Sequence, residues 1–274
     1  MKLIQCILTD NDCFKTKRAI KPKGVMVHST GADNPTLRRY VQPVKGGDGD
    51  YATLMAQLGR NKNGNHWNRP GLDVCVHGFI GQLADGSVAS VQTLPWTHRG
   101  WHAGTGTSGG SANNTHISFE ICEDGLADPA YFKLVYREAV ELTAHLCKSC
   151  GLDPLADGVV ICHSEGYRRG VASGHADVEH WFPRHGKSMD DFRADVAAEL
   201  APKPEPDPGP KPDPEEDDEM KYYKTLDEVP EYYRPTVEKL VEAGALRGTA
   251  EDVLNVSEEF CRTMTVLDRL GKLD

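Results

Sequence analysis

The sequence has no apolar run approaching the length that crosses a bilayer, which argues against membrane insertion. Its first residues, MKLIQCILTDNDCFK, lack the basic start, longer apolar core and small-residue cleavage site of a secretory signal. The expectation is synthesis in the cytoplasm without a signal peptide, so any action outside the cell depends on release by another agent. A basic stripe is missing too, in a chain of net charge −10, and nucleic acid is a poor partner. Cysteine is present but unorganised: of eight, only Cys147 and Cys150 stand close together, in CKSC. Without a second pair, or a histidine pair at fixed spacing, this excludes a zinc knuckle, and the scatter excludes a disulfide framework. The pair closes an apolar-periodic stretch, YREAVELTAHLCKSCG, and reads as free thiols on a packed helix end.

What is there suits a soluble globular protein: 39% hydrophobic and 26% charged residues in a chain of 274, enough for one medium domain and one small one. The acidity is uneven. Residues 201–219, APKPEPDPGPKPDPEEDDE, hold eight acids against two lysines, and seven of the seventeen prolines. Such a segment buries no core and favours extended conformations, so 201–220 reads as a semi-rigid linker. It separates a first unit, 1–200, from a second, 221–274. Residues 220–274 carry eleven acids and eight bases, which leaves the first unit close to neutral.

The first unit reads as mixed α/β. GVMVHST is a buried strand ending at His28, and VCVHGFIGQLADGSVASVQ is two strands joined by a turn at Asp85-Gly86. HISFEIC is another strand, with apolar residues flanking Glu120. Residues 129–149 form a long amphipathic helix. GVVICHSE is a buried strand ending at His163, and SMDDFRADVAAEL is a final helix capped by Ser188 with Asp191 three residues on. In the second unit RPTVEKLVEAGALRG is a helix stopped by Gly244, with Val237, Leu240 and Val241 on one face. NVSEEFCRTMTVLDRLG is another, with a capping box from Asn255 to Glu258 and an apolar stripe at Phe260, Met264 and Leu267. Two helices on so short a stretch make a marginal core, consistent with a partner, a second copy or a ligand.

At or near the ends of the buried strands stand His28, Glu120 and His163, followed by Asp177 in SGHADVEHWF. Ionisable groups in such places are expensive without partners. Each alone reads as a hydrogen-bonding residue, the reading preferred for His66, His98, His116, His145 and His185. As a set, two histidines and a carboxylate with a free glutamate match a catalytic zinc site: three protein ligands, an open position for water and a proton shuttle.

On these motifs residues 24–200 resemble the zinc-dependent N-acetylmuramoyl-L-alanine amidases of the type-2 family, related to peptidoglycan recognition proteins. GVMVHST resembles the family's first strand, HGFIGQLADGSVASVQTLPWTHRGWHAG its strand pair and Trp101–Gly104 motif, NNTHISFEIC its asparagine-rich loop and glutamate strand, and VICHSE its second histidine motif. CFKTKRAIKPKG adds a likeness to endolysins of phages infecting Gram-positive bacteria. The resemblance implies a mixed sheet flanked by helices, a Zn²⁺ held by His28, His163 and Asp177, and Glu120 as general base and then acid. Many members carry a lysine two positions before the third ligand; here His175 stands there, as partner of the oxyanion. The loop after His163 is longer than the family's, and His175 and His180 are the alternatives to Asp177. Trp101 and His102 line the groove for peptidoglycan, the implied substrate, and His77 orients a neighbour.

The second unit resembles a single S-layer-homology motif, in EVPEYYRPTVEKLVEAGALRG followed by LNVSEEFCRTMTVLDR. That implies a module for a secondary cell-wall polymer; the alternative is a solubilising or oligomerising appendage. The expected function is hydrolysis of the bond between N-acetylmuramic acid and L-alanine by a phage or prophage endolysin. A non-catalytic peptidoglycan recogniser and a cytoplasmic wall-fragment recycling amidase are the alternatives.

Overall fold

The computed structural model describes residues 1–47, 49–201, 221–248 and 253–273. Apart from Ala201, the segment read as a linker lies outside the described residues. The chain divides into two compact units, Met1–Lys203 and Pro204–Asp274.

The first unit is built on six strands: β1 (Leu3–Gln5), β2 (Gly24–Asp33), β3 (Gly78–Gln82), β4 (Val88–Gln92), β5 (His116–Glu123) and β6 (Val160–Cys162). Their order is β1-β4-β3-β5-β2-β6; only β3 and β4 pair antiparallel, around the Gly86 turn. The sheet is mixed and covered on both faces, so β2 is buried continuously from Gly24 to Ser29 instead of alternating. Gly24 opens β2 because a Cβ there would lie 2.3 Å from the Val159 carbonyl oxygen.

On one face lies α3 (Pro129–Cys150). Asp128 caps it by accepting from the Ala130 N–H, Pro129 occupies its first turn, and Gly151 ends it at φ 65°. Its Phe132, Val135, Ala139 and Leu142 meet Val25, Val27, Ile117 and Phe119. α5 (Met189–Leu200) joins this layer through Phe192 and Val196, and starts at the expected Ser188–Asp191 capping box. Buried Glu138 of α3 accepts from Lys2 N, Ser90 N and Ser90 Oγ at 3.0–3.2 Å, and so fastens the short edge strand β1. On the opposite face α2 (Tyr51–Leu58) places Leu54 and Leu58 against Phe79 and Val91. A short helix, α1 (Asp12–Lys15), precedes β2, and α4 (His163–Arg168) follows β6.

The second unit pairs β7 (Tyr222–Tyr223) antiparallel with β8 (Val256–Ser257) and packs α6 (Arg234–Glu242) on α7 (Glu258–Arg269). Its core is small: Tyr223, Val229, Tyr233, Val237, Val256 and Cys261. Gly244 follows α6 at φ 68°, as expected of a stop. Three expectations here need correction. Val241 is exposed, and the buried residues of α6 are Thr236 and Val237, preceded by the buried Tyr233. The cap of α7 is Ser257, which accepts from the Phe260 N–H, while Asn255 sits at φ 49°. The fully buried positions of α7 are Cys261 and Thr265; Phe260, Met264 and Leu267 are only partly covered.

Candidate metal centre and cleft

In β2, Val25 and Val27 face α3, so strand alternation turns Met26 and His28 to the other side of the sheet. β5 lies parallel to β2 with Glu120 directly opposite His28, and β6 flanks the other edge with Cys162 opposite Val27. His163 is the next residue. Three neighbouring parallel strands therefore set Glu120, His28 and His163 in one row. β2 itself continues past His28 to Asp33, and Glu120 lies inside β5, so neither terminates its strand as expected. His163 does leave the sheet, as the first residue of α4.

Asp177 arrives differently. It opens a 3-10 turn, 177–180, with φ 44°, a conformation that aspartate tolerates better than most side chains. Val178 and Trp181 beside it are fully buried in the α3 core and hold the turn against the end of the sheet.

The three donor atoms converge. Asp177 Oδ2 lies 3.0 Å from His163 Nδ1 and 3.3 Å from His28 Nδ1, and the two Nδ1 atoms are 3.1 Å apart. Among the described residues His28, His163 and Asp177 form a cluster able to hold a metal ion, with ligand atoms within 4.8 Å of one another. Neither His175 nor His180 belongs to it. The donor set is chemically suited to the task. Burial lowers the pKa of His28, outweighing Asp177, and keeps the imidazole neutral. Burial alone would raise Asp177, but hydrogen bonds to His163 and His28 outweigh it and hold the carboxyl well below the usual range. Neutral imidazole and ionised carboxylate are the forms that bind a cation. Two histidines and one carboxylate, with no fourth protein ligand, is the pattern of an open zinc site.

The outer ring nitrogens are also engaged. His28 Nε2 lies 3.0 Å from His102 Nδ1, so with Nδ1 turned to the cluster the Nε2–H donates to His102. His163 Nε2 lies 3.3 Å from Ser173 Oγ, which in turn reaches the Ala103 carbonyl at 3.3 Å. Asn113 Oδ1 accepts from the backbone N–H groups of His102 and Ala103 at 2.7 and 2.9 Å, and so fixes the segment carrying His102. Burial, then the neighbouring His28 and His77, push His102 well below the ordinary histidine pKa. Sequence reading assigned His102 to the groove; it both lines the cleft and supports His28. Asn113 and Ser173 were not singled out, although Asn113 lies in the asparagine-rich NNTHISFEIC segment.

Glu120 carries a buried Oε2 with no hydrogen-bond partner among the described residues. Burial, then the charges of Asp177 and Glu123, raise its carboxyl well above the usual range. A carboxyl raised in this way holds a proton more readily than an exposed one, as a proton-exchanging group requires.

A cleft of about 490 Å³ opens beside the cluster, lined among others by Trp101, His102, Arg99, His163 and His175. His175 is exposed, and its ring meets that of His163 edge-on at 4.7 Å. His180 is turned elsewhere: it pairs with Glu123 Oε1 at 3.1 Å, and Glu123 also accepts from the Gly31 N–H. His77 is fully buried between the Ser118 N–H and the His98 carbonyl, a structural role. His116 bridges Thr115 and the Gly158 carbonyl, and His185 stacks on Phe132. Cys147 and Cys150 are free thiols at the end of α3, and burial raises the Cys147 thiol to about 12.

Residues 18–185 match the family model of N-acetylmuramoyl-L-alanine amidases. The match spans most of the first unit and more than half of the sequence, and the chain belongs to that family. Similar solved structures include the Staphylococcus aureus hydrolase AmiA in complex with its ligand, at 21% identity, 73% of this chain, 83% of that chain and TM-score 0.48. The solution structure of the PlyG catalytic domain is similar at 20% identity, 75% and 99% coverage and TM-score 0.47. A mutant endolysin from Bacillus subtilis is similar at 23% identity, 72% and 99% coverage and TM-score 0.44. Comparison with curated protein sequences returns no match.

Proposed function

We propose that the chain is a zinc-dependent amidase that cleaves the bond between the lactyl group of N-acetylmuramic acid and L-alanine, and that it serves as a phage or prophage endolysin. The observation that carries this reading is the convergence of His28 Nδ1, His163 Nδ1 and Asp177 Oδ2, with Glu120 opposite His28 in the next strand. Zinc held by His28, His163 and Asp177 would supply Lewis acidity for a scissile carbonyl and for water. Glu120 takes the proton of the attacking water and returns it to the departing alanine nitrogen. His175, at the mouth of the cleft, donates a hydrogen bond to the carbonyl oxygen as charge builds there. His102 and Ser173 orient the ligand histidines, and Trp101 offers a flat apolar wall to glycan or peptide. The C–N bond breaks, leaving a lactyl carboxylate and a free α-amine.

Retention of both histidines, the carboxylate and Glu120 favours an enzyme over a binding-only recogniser. The acidic proline-rich segment and the second unit favour action on polymeric wall over recycling of soluble fragments. In this reading the protein is made in the cytoplasm and reaches the wall when another protein opens the membrane. Mass spectrometry of purified peptidoglycan after digestion tests the bond specificity. The expected products are intact glycan strands and stem peptides with a free alanine N-terminus; cleavage within the glycan or within the peptide would refute it.

A further inference from the structure

The first unit holds a second cleft, of about 580 Å³, between the end of β2 and the 59–65 segment. Arg38, Arg39, Arg60 and Lys62 line it, and Asp33 is the acid among its lining residues. In a unit that is close to neutral, four cations with one acid make a locally basic patch. The four cations of the cleft form no ion pair among the described residues. Arg39 instead donates to the Asn65 carbonyl and lies over the Tyr40 ring. Gathering like charges costs free energy unless an anion joins them.

The frame beneath them is fixed. Asn61 Nδ2 donates to the carbonyls of Arg38 and Arg39 and to Asn65 Oδ1 at 2.9–3.2 Å. Its own N–H donates at 2.9 Å to Oε1 of Gln42, a buried side chain that also donates to the Gly59 carbonyl. The cationic side chains thus project from a preorganised loop, which lowers the ordering cost of binding. Asp33 pairs with Glu123 of β5, three residues on from the Glu120 that faces His28, a span of about 10 Å along the strand. No residue lines both this cleft and the one beside the metal cluster.

We propose that this cleft binds a phosphodiester-repeating polyanion of the cell wall. Guanidinium groups match phosphate oxygens in planar, two-pronged fashion. A repeating phosphodiester presents successive negative charges to successive cations, which a lone peptide carboxylate does not. That the polymer belongs to the wall rests on the function proposed above; the binding does not, and it is read without turnover.

The test uses the full chain and a poly(glycerol phosphate) oligomer in calorimetric titration, with poly-glutamate of matched charge as control. The wild-type chain should bind the phosphate polymer, more weakly as salt rises from about 0.05 to about 0.3 M. The double variant Arg38→Glu/Arg60→Glu should bind at least about tenfold more weakly. Its thermal midpoint, and its hydrolysis of soluble muramoyl-peptide, should stay near wild type. Arg38→Gln/Arg60→Gln should fall between the two. No wild-type binding, unchanged binding by the charge-reversed chain, or equal binding of poly-glutamate would overturn the proposal. So would a matching loss of soluble-fragment hydrolysis in a folded variant, which would make the cleft a peptide subsite. Polymer binding without amidase activity would instead remove the proposed function and leave this site standing.

Discussion

Glu120 is the residue whose surroundings most clearly demand a purpose. A buried carboxyl oxygen without a hydrogen-bond partner is costly, and two further acids raise the cost. Its position opposite His28 gives that cost a use in the proposed reaction, where a carboxyl that takes up a proton readily serves as the shuttle. Glu120→Gln keeps the shape and removes the proton exchange. Turnover on a soluble muramoyl-peptide should drop by about 10²–10⁴-fold, with metal content and circular dichroism unchanged. Near-normal turnover in this variant would remove Glu120 from the mechanism. His77 shows the contrasting case, a buried imidazole spent on structure. Burial lowers its pKa to about 4, from an ordinary value near 6.5. The folded chain therefore binds fewer protons than the unfolded one between these values. The stabilisation is full above pH about 6.5 and is lost as pH falls toward about 4, amounting to roughly 3 kcal/mol. Urea denaturation across this window should show stability declining on acidification. His77→Gln should reduce the slope by about one proton, leaving the contributions of His28, His66, His102 and His116, which burial also lowers.

At the scale of elements, the division of labour is between a rigid sheet and less regular connections. β5, β2 and β6 set three of the site residues by register alone, and α3 clamps these strands from behind. These parts are legible in the sequence because apolar runs with β-branched residues and a long amphipathic period are strong signals. The Ser188–Asp191 box is legible for the same reason: it is a local pattern with a local cause. Asp177 is harder. A four-residue 3-10 turn has no period, and its position depends on Val178 and Trp181 finding the distant α3 core. Residue patterns alone therefore leave Asp177, His175 and His180 as candidates, and only the family resemblance ranks them, with Asp177 as ligand and His175 at the oxyanion. The structure separates them into a cluster member, a cleft residue and a partner of Glu123. Ser173 and Asn113 escape sequence reading because a small polar side chain gains its role only from spatial neighbours. In the second unit the two-residue strands β7 and β8 are too short to leave a pattern, and Asn255 looks like a cap until Ser257 is seen accepting the Phe260 N–H.

For the whole molecule, the proposed arrangement joins a catalytic unit to a small module through the acidic, proline-rich stretch. Such a tether makes a second encounter with the wall intramolecular and raises the local enzyme concentration. A chain ending at Leu200 should lose activity on intact walls while hydrolysing soluble muropeptides as the full chain does. Equal loss on both substrates would mean that the second unit stabilises the catalytic fold. All of these roles depend on one claim, that His28, His163 and Asp177 together hold the metal. The direct measurement is metal content of the purified protein by mass spectrometry, compared among the wild type, Asp177→Ala and His175→Ala. The account predicts about one zinc per chain in the wild type and in His175→Ala, and little in Asp177→Ala. Full zinc in Asp177→Ala with loss in His175→Ala would contradict it.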